Sequence, residues 1–344
     1  MRRLGRDPGA LRAARALHRL APPIDLHADP LLWARWLGYD LNRIHRPPLP
    51  WAWFGGHVDV PRMLAGGMGG QVFTLVSVPG LDGDHKRSCH RQIDLLEQAV
   101  AASRGLLRLA RSKVELDTVT AQGALFGILG MEGAHPLGDN LAALDHFFDR
   151  GLRLLGLVHF SANACAVPAV GLGADPARGL SDFGRYVIER CEALGIVVDL
   201  AHLNRRGTLE ACRLAQKPML VSHTGLAGVH DMWRNIDDTQ LQAVADTGGA
   251  VGIIFCPHFL GADGIGAVVQ HIRYAIDKVG ADAVALGSDW DGFIRPTRGL
   301  TQPSDLPALT AALLQTDMPE DVIQKVLRGN ALRVLRACLP AVGP

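Results

Sequence analysis

Short apolar runs that end on a histidine or a carboxylate are the feature that most restricts the fold of this 344-residue chain. Four such runs occur, and the residues that close them are His27 with Asp29, Glu132, His202 and His223. In parallel β/α proteins the carboxyl ends of the strands face one side of the molecule, where active sites are built. Imidazole nitrogen and carboxylate oxygen are also the ligands of catalytic zinc. The pattern therefore predicts a parallel β/α fold that gathers its strand ends around metal.

Eight apolar runs alternate with stretches of helical period, as expected for repeated β-α units. The predicted strands are Ile24–His27, Gln71–Val76, Phe126–Glu132, Leu154–His159, Ile196–His202, Met219–His223, Ala250–Phe255 and Ala283–Asp289. The helical patterns between them include His90–Ala110, Asp182–Leu194, Gly207–Gln216, Thr239–Thr247 and Gly266–Val279. Because the strands are rich in Val, Ile and Leu along their whole length, we expect them to be buried on both faces in a parallel sheet.

Regular β-α alternation fits either a closed barrel or an open doubly wound sheet. The possible ligands close the first, third, fifth, sixth and eighth predicted strands, and only a barrel brings those ends round one mouth. We therefore predict a (β/α)8 TIM barrel with a dinuclear metal site at the C-terminal face of its strands, formed by one domain over residues 1–344. Residues 1–21 are expected to be an Arg-rich helical extension; a targeting peptide is the alternative, but no apolar signal segment follows. The loops Arg46–Trp53 and Asn163–Gly179 are expected at the mouth.

Composition excludes several classes of protein. The formal net charge of +1 gives no basis for binding nucleic acid or an anionic membrane. No apolar run is long enough to span a bilayer. The six cysteines are scattered without a C-x-x-C pair, which disfavours a zinc finger and a disulfide framework and favours reduced thiols. We expect a cytoplasmic enzyme that acts on a small molecule.

The five residues named first form a possible ligand set for two ions. His27 and Asp29 are two positions apart, so in a strand both side chains point to the same side and can bind one ion. Glu132 can bridge to a second ion held by His202 and His223. This arrangement predicts two Zn2+ about 3.5–4 Å apart, with a bridging hydroxide as the nucleophile. Mn2+ or Co2+ is compatible with the same ligands.

Three other residues have side chains suited to catalysis or substrate binding. Asp289 ends the last predicted strand and is assigned as the base that takes a proton from water and returns it to the leaving amine; Asp291 competes for that role but is expected to orient the loop. His159 could be a further ligand, although a donor to the developing oxyanion is the preferred assignment. Arg234 has the planar fork that binds a substrate carboxylate, but a surface arginine is the ordinary expectation among 35 lysines and arginines.

Several motifs together show a resemblance to a known family. They are Asp25-Leu26-His27-Ala28-Asp29, Gly69-Gly70-Gln71, Gly130-Met131-Glu132-Gly133-Ala134-His135, Asp199-Leu200-Ala201-His202, Ser222-His223, Arg234-Asn235, Gly287-Ser288-Asp289-Trp290-Asp291-Gly292 and Gly329-Asn330. In order and spacing they resemble the membrane (renal) dipeptidase family. The resemblance implies a dinuclear zinc exopeptidase on an amidohydrolase-like barrel, which cleaves dipeptides, tolerates a D-residue at the C-terminal position and often forms homodimers.

The resemblance also implies a role for each site residue. The implied metal ligands are His27, Asp29, Glu132, His202 and His223. His159 and Arg234 match the family's substrate-contacting histidine and arginine, and Asp289 matches its catalytic aspartate.

The chain departs from the family pattern in two places. The family's opening motif usually reads Asp-Gly-His-Asn-Asp, and Leu26 and Ala28 stand at the intervening positions here. Ile254-Phe255-Cys256 stands where Asn-Phe-Tyr is common, so a phenolic hydrogen-bond donor is missing. The second departure leaves the choice of substrate open.

Two other functions are alternatives to a dipeptidase. A metallohydrolase for a lactone, a phosphotriester or an exocyclic amine typically uses a carboxylated lysine as a bridge or opens with His-x-His, whereas here no lysine ends a predicted strand and the opening is His-x-Asp. A metal-binding barrel without turnover would have no need of Asp289 and His159.

Overall fold

The computed structural model describes residue 5, residues 7–47 and residues 53–343. These residues form a parallel β-barrel surrounded by helices. The strands are β1 (Ile24–Ala28), β2 (Gly70–Val76), β3 (Leu107–Leu109), β4 (Leu125–Glu132), β5 (Leu152–Gly156), β6 (Val197–Asp199), β7 (Leu220–Thr224), β8 (Ala250–Ile253) and β9 (Val284–Leu286). The helices are α1 (Pro8–Leu20), α2 (Pro30–Leu37), α3 (Val60–Ala65), α4 (His85–Ala102), α5 (Lys113–Ala121), α6 (Leu141–Asp149), α7 (Asp182–Leu194), α8 (Arg205–Leu214), α9 (Asp238–Asp246), α10 (Pro257–Leu260), α11 (Ile265–Val279), α12 (Leu306–Leu314), α13 (Glu320–Gln324) and α14 (Asn330–Cys338).

The barrel is closed by eight of these strands. Neighbours pair in the order β1, β2, β4, β5, β6, β7, β8 and β9, and β9 pairs with β1 through Leu286 and Asp25. All of these pairings are parallel. The prediction of a (β/α)8 barrel is therefore confirmed.

One predicted helix is wrong at its C-terminal end. The pattern predicted a helix over His90–Ala110, whereas α4 ends at Ala102 and β3 follows. Arg104 and Gly105 separate the two with φ values of 54° and 86°. An α-helix does not admit positive φ, so the chain turns here. β3 then pairs with the first residues of β4 and adds a short strand beside the barrel.

Four predicted strands extend too far at their C-terminal ends, and the smallest excess is at β8, which ends at Ile253 instead of Phe255. β5 ends three residues before His159, β6 three residues before His202, and β9 three residues before Asp289. His202 and Asp289 have φ values of 66° and 62°, which β-strands do not allow. These side chains therefore project from the loops just beyond the strands.

β1 and β7 each contain a register irregularity at a histidine. Asp25–Ala28 of β1 lies opposite the shorter segment Gln71–Phe73 of β2, and Val221–Thr224 of β7 shows the same shift against β8. The extra residues fall beside His27 and His223. Because a bulge changes the direction of a side chain, the simple two-residue alternation assumed for the opening His-x-Asp pair does not hold through this segment.

The barrel end opposite the site is closed by α14. Leu332 and Leu335 of this helix share an apolar cluster with strand residues that include Ile24, Leu154 and Leu220. An apolar core therefore fills the barrel below the carboxyl ends of the strands, and the polar site residues gather at the other end.

The N-terminal extension is helical over Pro8–Leu20, and α1 packs against α12. Residues 1–4 and 6, and residues 48–52 of the predicted mouth loop, lie outside the described part of the chain. His18 of α1 is buried, with Nδ1 2.8 Å from the Gly66 carbonyl oxygen and Nε2 2.7 Å from Thr310 Oγ1. No helix among the described residues is long and apolar enough to cross a bilayer.

Burial at this contact predicts a pH-dependent stability. Burial lowers the pKa of His18 to about 4 from 6.5. The unfolded chain takes up a proton as the pH falls below about 6.5 while the folded chain stays neutral, so stability is lost between about pH 6.5 and pH 4. Between pH 7 and pH 5 the free energy of unfolding of the parent should fall because of His18. We expect this fall to be about 2 kcal/mol smaller in His18→Gln.

Urea unfolding at the two pH values measures this difference. The exposed His258 offers a matched control, and His258→Gln should keep the parent's pH dependence. An unchanged pH dependence in His18→Gln would show that His18 does not contribute to acid sensitivity.

Candidate metal centre

The carboxylate of Glu132, the last residue of β4, is the point on which the site residues converge. Its Oε1 lies 2.9 Å from His202 Nε2, 3.4 Å from His27 Nε2 and 3.7 Å from His223 Nε2. Its Oε2 lies 3.4 Å from His159 Nε2. Four histidines from four strand ends therefore present the same ring nitrogen to one carboxylate.

A second group of ligand-type atoms adjoins the first at His27. Its Nε2 lies 3.5 Å from Asp29 Oδ1 and 3.9 Å from Asp289 Oδ1. Both His27 Nε2 and Asp29 Oδ1 are buried without a hydrogen-bond partner. A buried polar atom without a partner is costly, so these two atoms indicate a group that the protein is built to bind.

The contact between His202 and His223 supports the same conclusion. Their Nε2 atoms face each other at 3.0 Å. Two neutral imidazoles in this position can share only one proton, whereas two lone pairs directed at one space suit a cation. Together with the three carboxylates, the donor set fits divalent metal of the kind that binds nitrogen and oxygen.

Burial opposes ionisation of five groups in the centre. Desolvation raises the pKa of Asp29 and of Glu132 well above the ordinary range, and raises that of Asp289 to about 8. Desolvation also lowers the pKa of His202 and His223 well below the usual value. Neutral imidazoles are the form that binds metal, and a bound cation would favour the ionised carboxylates.

Ser222 orients two of the histidines through a single hydroxyl group. Its Oγ lies 3.0 Å from His223 Nδ1 and 3.3 Å from His27 Nδ1. When both rings keep their protons on Nδ1, the hydroxyl oxygen accepts from both, and both Nε2 atoms keep a lone pair directed at the centre, where Arg234 Nη2 also approaches His223 Nε2. Ser222 was not identified as functional from the sequence, although its place directly before His223 is a usable signal.

Two buried aspartates hold the strand ends together below the metal-binding atoms. Asp25 accepts hydrogen bonds from the backbone N–H and the hydroxyl of Ser288, at 2.7 and 2.6 Å, and from Gln71 Nε2 at 3.0 Å. Asp199 accepts from the backbone N–H of Ser222 at 2.8 Å. Both lie in the motifs that carry the family resemblance, and their contacts indicate that they position neighbouring loops.

Arg234 is brought to the centre from the segment between β7 and α9. It is 4% exposed, and its Nη2 lies 3.0 Å from His223 Nε2 and 3.1 Å from the His223 carbonyl oxygen. The ordinary expectation of a surface arginine is therefore wrong, because the side chain is buried beside the site. The guanidinium lines a cavity of about 350 Å³ that lies over Glu132 and Asp289.

Asp289 and Asp291 point in different directions. Asp289 lines the cavity, whereas both carboxylate oxygens of Asp291 accept backbone N–H groups, from His57 at 2.8 Å and from Val58 at 2.9 Å. Asp291 therefore orients a loop, as the sequence suggested. A Cβ at Gly292 would lie 2.1 Å from Asp289 Oδ1, so only glycine fits beside this carboxylate.

His159 lies where it could act either as a further metal ligand or as a donor to the oxyanion, the two roles considered from the sequence. Its ring lies 4.6 Å from that of His202, and Glu132, His159 and His202 form one of the groups whose ligand-type atoms lie within 4.8 Å of one another. Its assignment as an oxyanion donor stays a prediction. Cys256, at the position where a tyrosine was expected, is buried and precedes α10 without lining the cavity.

The position of Ser222 generates a test of metal binding. We expect Ser222→Ala to lower affinity for Zn2+ or Co2+ by about 10- to 100-fold, because two ligand rings lose their shared hydrogen-bond partner. Competition against a chromogenic chelator measures this affinity. Ser112→Ala removes the N-cap of α5 and is the control: it should lower thermal stability but leave metal affinity unchanged. Equal metal affinity in Ser222→Ala and the parent would contradict the positioning role.

Comparison with known proteins gives a consistent result. Residues 11–340 match the family described as membrane dipeptidase (Peptidase family M19). The chain is 28% identical over 294 residues to Dipeptidase tcpJ of Claviceps purpurea, covering 82% of this chain and 69% of that protein. It is 32% identical over 270 residues to a Klebsiella pneumoniae protein of the pqqA 5' region, covering 76% of this chain and 98% of the relative.

A solved structure also matches over nearly the full length. The metallo peptidase of Rhodobacter sphaeroides, liganded with a phosphinate mimic of the dipeptide L-Ala-D-Ala, is 28% identical, with a TM-score of 0.83 over 92% of this chain and 99% of that chain. The family match spans the whole barrel, and the resemblance seen in the sequence is confirmed. The chain belongs to the membrane dipeptidase family, Peptidase family M19, and is a hydrolase of the metallo-exopeptidase class whose family implies a divalent metal.

Proposed function

We propose that the protein hydrolyses dipeptides with two Zn2+ in its barrel mouth, and that its substrates include dipeptides with a C-terminal D-residue. The observation that carries this proposal is the convergence of four imidazoles on Glu132, next to the unpartnered His27 and Asp29. Family membership and the buried Arg234 support the choice of a dipeptide as substrate.

The proposed ligands divide between the two ions. His27 and Asp29 would hold one ion, His202 and His223 the other, and Glu132 would be shared. When bound, the ions lower the pKa of a water molecule and polarise the peptide carbonyl group. The same nitrogen and oxygen ligands accept Mn2+ or Co2+, so metal supply decides between them in the cell.

Arg234 is proposed to hold the free carboxylate of the substrate. The guanidinium is planar and offers paired N–H donors, a geometry that matches a carboxylate. With Arg234 beside His223, a carboxylate bound there would lie at one side of the centre, and the peptide carbonyl, one residue away, would lie near Glu132. A residue added after that carboxylate would have to lie where this buried side chain lies, which favours an exopeptidase that cleaves the C-terminal peptide bond.

Asp289 and His159 are proposed to handle protons and charge during hydrolysis. As a carboxylate, Asp289 can accept a proton from the attacking water and return it to the amine as the C–N bond breaks. Burial lowers the pKa of His159 to about 3, so its ring is neutral and can donate one N–H to the carbonyl oxygen as negative charge develops there. Both residues line the cavity with Glu132.

Tolerance of a D-residue is supported by the family resemblance and by one relative. The Rhodobacter sphaeroides enzyme was crystallised with a mimic of L-Ala-D-Ala. The homodimer and the cytoplasmic location expected from the sequence stay predictions.

A panel of dipeptides tests the proposed reaction. We expect zinc-loaded protein to release free amino acids from L-Ala-L-Ala and L-Ala-D-Ala, and chelator treatment to abolish the release, because the nucleophilic water depends on the metal. Adding back Zn2+ should restore activity. An absence of cleavage with every dipeptide of an L-L and L-D panel would refute the proposal; faster turnover of an aryl phosphotriester or a lactone would point to a different bond.

The role of Arg234 predicts a selective loss of activity. We expect Arg234→Met to lower kcat/KM for a dipeptide by about 10- to 100-fold, the effect of losing hydrogen bonds to a charged group. The matching dipeptide amide has no carboxylate, so its slower hydrolysis should change little. The exposed Arg213 of α8 supplies the control Arg213→Met, which should behave like the parent. Equal losses for dipeptide and amide would exclude a contact with the carboxylate.

A further inference from the structure

The cavity has a charged floor and an apolar side. Every charged or imidazole group that lines it among the described residues belongs to the metal centre or is Arg234. One side is formed by what we name the apolar wall, which consists of Leu32, Trp36, Val78, Leu81 and Phe293, while Val76, Phe160, Phe259 and Ile294 line other parts of the cavity. Trp36, Leu81 and Phe293 are 37%, 73% and 48% exposed, although large apolar side chains of this kind are usually buried. An exposed apolar group beside a catalytic centre is a typical ligand contact.

The positions of the wall residues around the barrel indicate which part of a bound dipeptide they would contact. Val78 and Leu81 follow β2, and Trp36 lies on α2, which follows β1. Arg234 follows β7, which is four strands from β2 in either direction around the barrel, whereas β1 and β9, which precede Trp36 and Phe293, are three and two strands from β7. A dipeptide whose carboxylate lies at Arg234 and whose peptide bond lies over the metal centre therefore extends its N-terminal residue toward the apolar wall.

The wall is held in place by contacts behind it. Arg35, next to Trp36, makes a two-pronged ion pair with Asp82, at 2.6 and 2.9 Å. Asp82 also accepts the backbone N–H of Val78 at 2.8 Å. These bonds join α2 to the loop after β2, so the two parts of the wall are fixed relative to each other. A preformed surface loses less conformational entropy when it binds a ligand.

Phe293 is held in the wall by an unusual backbone conformation. Its φ is 58°, in the left-handed region that residues other than glycine rarely adopt. Its ring lies 5.7 Å from that of Trp36 and 4.9 Å from that of the buried Trp33. Strained residues whose side chains remain partly exposed are found at ligand sites more often than elsewhere.

The geometry points to a preference of this enzyme for dipeptides whose N-terminal residue is large and apolar, selected by Trp36 and Phe293 of the apolar wall. This inference rests on the proposed dipeptidase function. An aromatic or branched side chain would cover the two rings and displace water from them, whereas a charged side chain would lose water without gaining a partner.

A substrate series with a varied N-terminal residue tests the preference. With X-Ala substrates, we expect kcat/KM for Phe-Ala and Leu-Ala to exceed that for Ala-Ala by tenfold or more, and Glu-Ala and Lys-Ala to fall below Ala-Ala. Trp36→Ala and Phe293→Ala should each reduce the Phe-Ala to Ala-Ala ratio at least fivefold. Leu37→Ala is the control, since Leu37 is an exposed residue of the same helix that does not line the cavity.

A gain of function and a direct binding measurement complete the test. Trp36→Arg places a cation in the wall and should raise the Glu-Ala to Phe-Ala ratio. Phosphinate mimics of Phe-Ala and Ala-Ala should show the same preference in Kd, and the wall variants should reduce it.

The outcomes separate this inference from the proposed function. A Phe-Ala to Ala-Ala ratio near one in the parent, or wall variants that change Ala-X selectivity instead of X-Ala selectivity, overturns the inference while dipeptide hydrolysis stands. If no dipeptide is cleaved, the proposed function fails, and equal Kd values for the two mimics would overturn the wall's role as well.

Discussion

A buried carboxylate surrounded by imidazole nitrogens is the constraint on which the rest of the structure depends. Glu132 is 6% exposed, and desolvation raises its pKa well above the ordinary range, an effect that His27 and Arg234 oppose and Asp29 and Asp289 reinforce. An uncompensated buried charge is expensive, so the arrangement is stable only when a cation is present or the carboxyl group is protonated. The closed barrel makes this crowding feasible, because it directs eight strand ends to one opening. The bulges at His27 and His223 and the shared hydroxyl of Ser222 then bring the ring nitrogens to the centre.

Much of this arrangement could be predicted from the sequence. Ligand-type residues that close apolar runs were sufficient to predict the barrel and to identify the residues that converge on Glu132. The spacing could not place His202 and Asp289 correctly, because both leave the strand geometry with a positive φ that an apolar run does not encode. β3 was missed for a related reason. Three residues of strand are too short to show a period, and the preceding helix pattern continued over them.

The apolar residues that line the cavity were harder to predict from the sequence than the candidate metal-binding and catalytic residues. The proposed metal-binding and catalytic residues are recognisable because few side chains can bind metal or transfer protons. The apolar wall is assembled from α2, the loop after β2 and the loop after β9, and its members resemble ordinary core residues until the fold places them at the mouth. Their role depends on exposure and on distance from Arg234, and a linear sequence reports neither of these directly.

The segment that follows β9 assigns three separate tasks to alternate residues. Asp289, Asp291 and Phe293 all have left-handed backbones, and they face the metal centre, the loop of His57 and Val58, and the apolar wall respectively. Under the proposed role of the apolar wall, a mutation at position 293 alters substrate preference without disturbing the two acidic neighbours. During evolution, the substrate preference of such an enzyme can therefore diverge while the acidic residues of the same segment are retained.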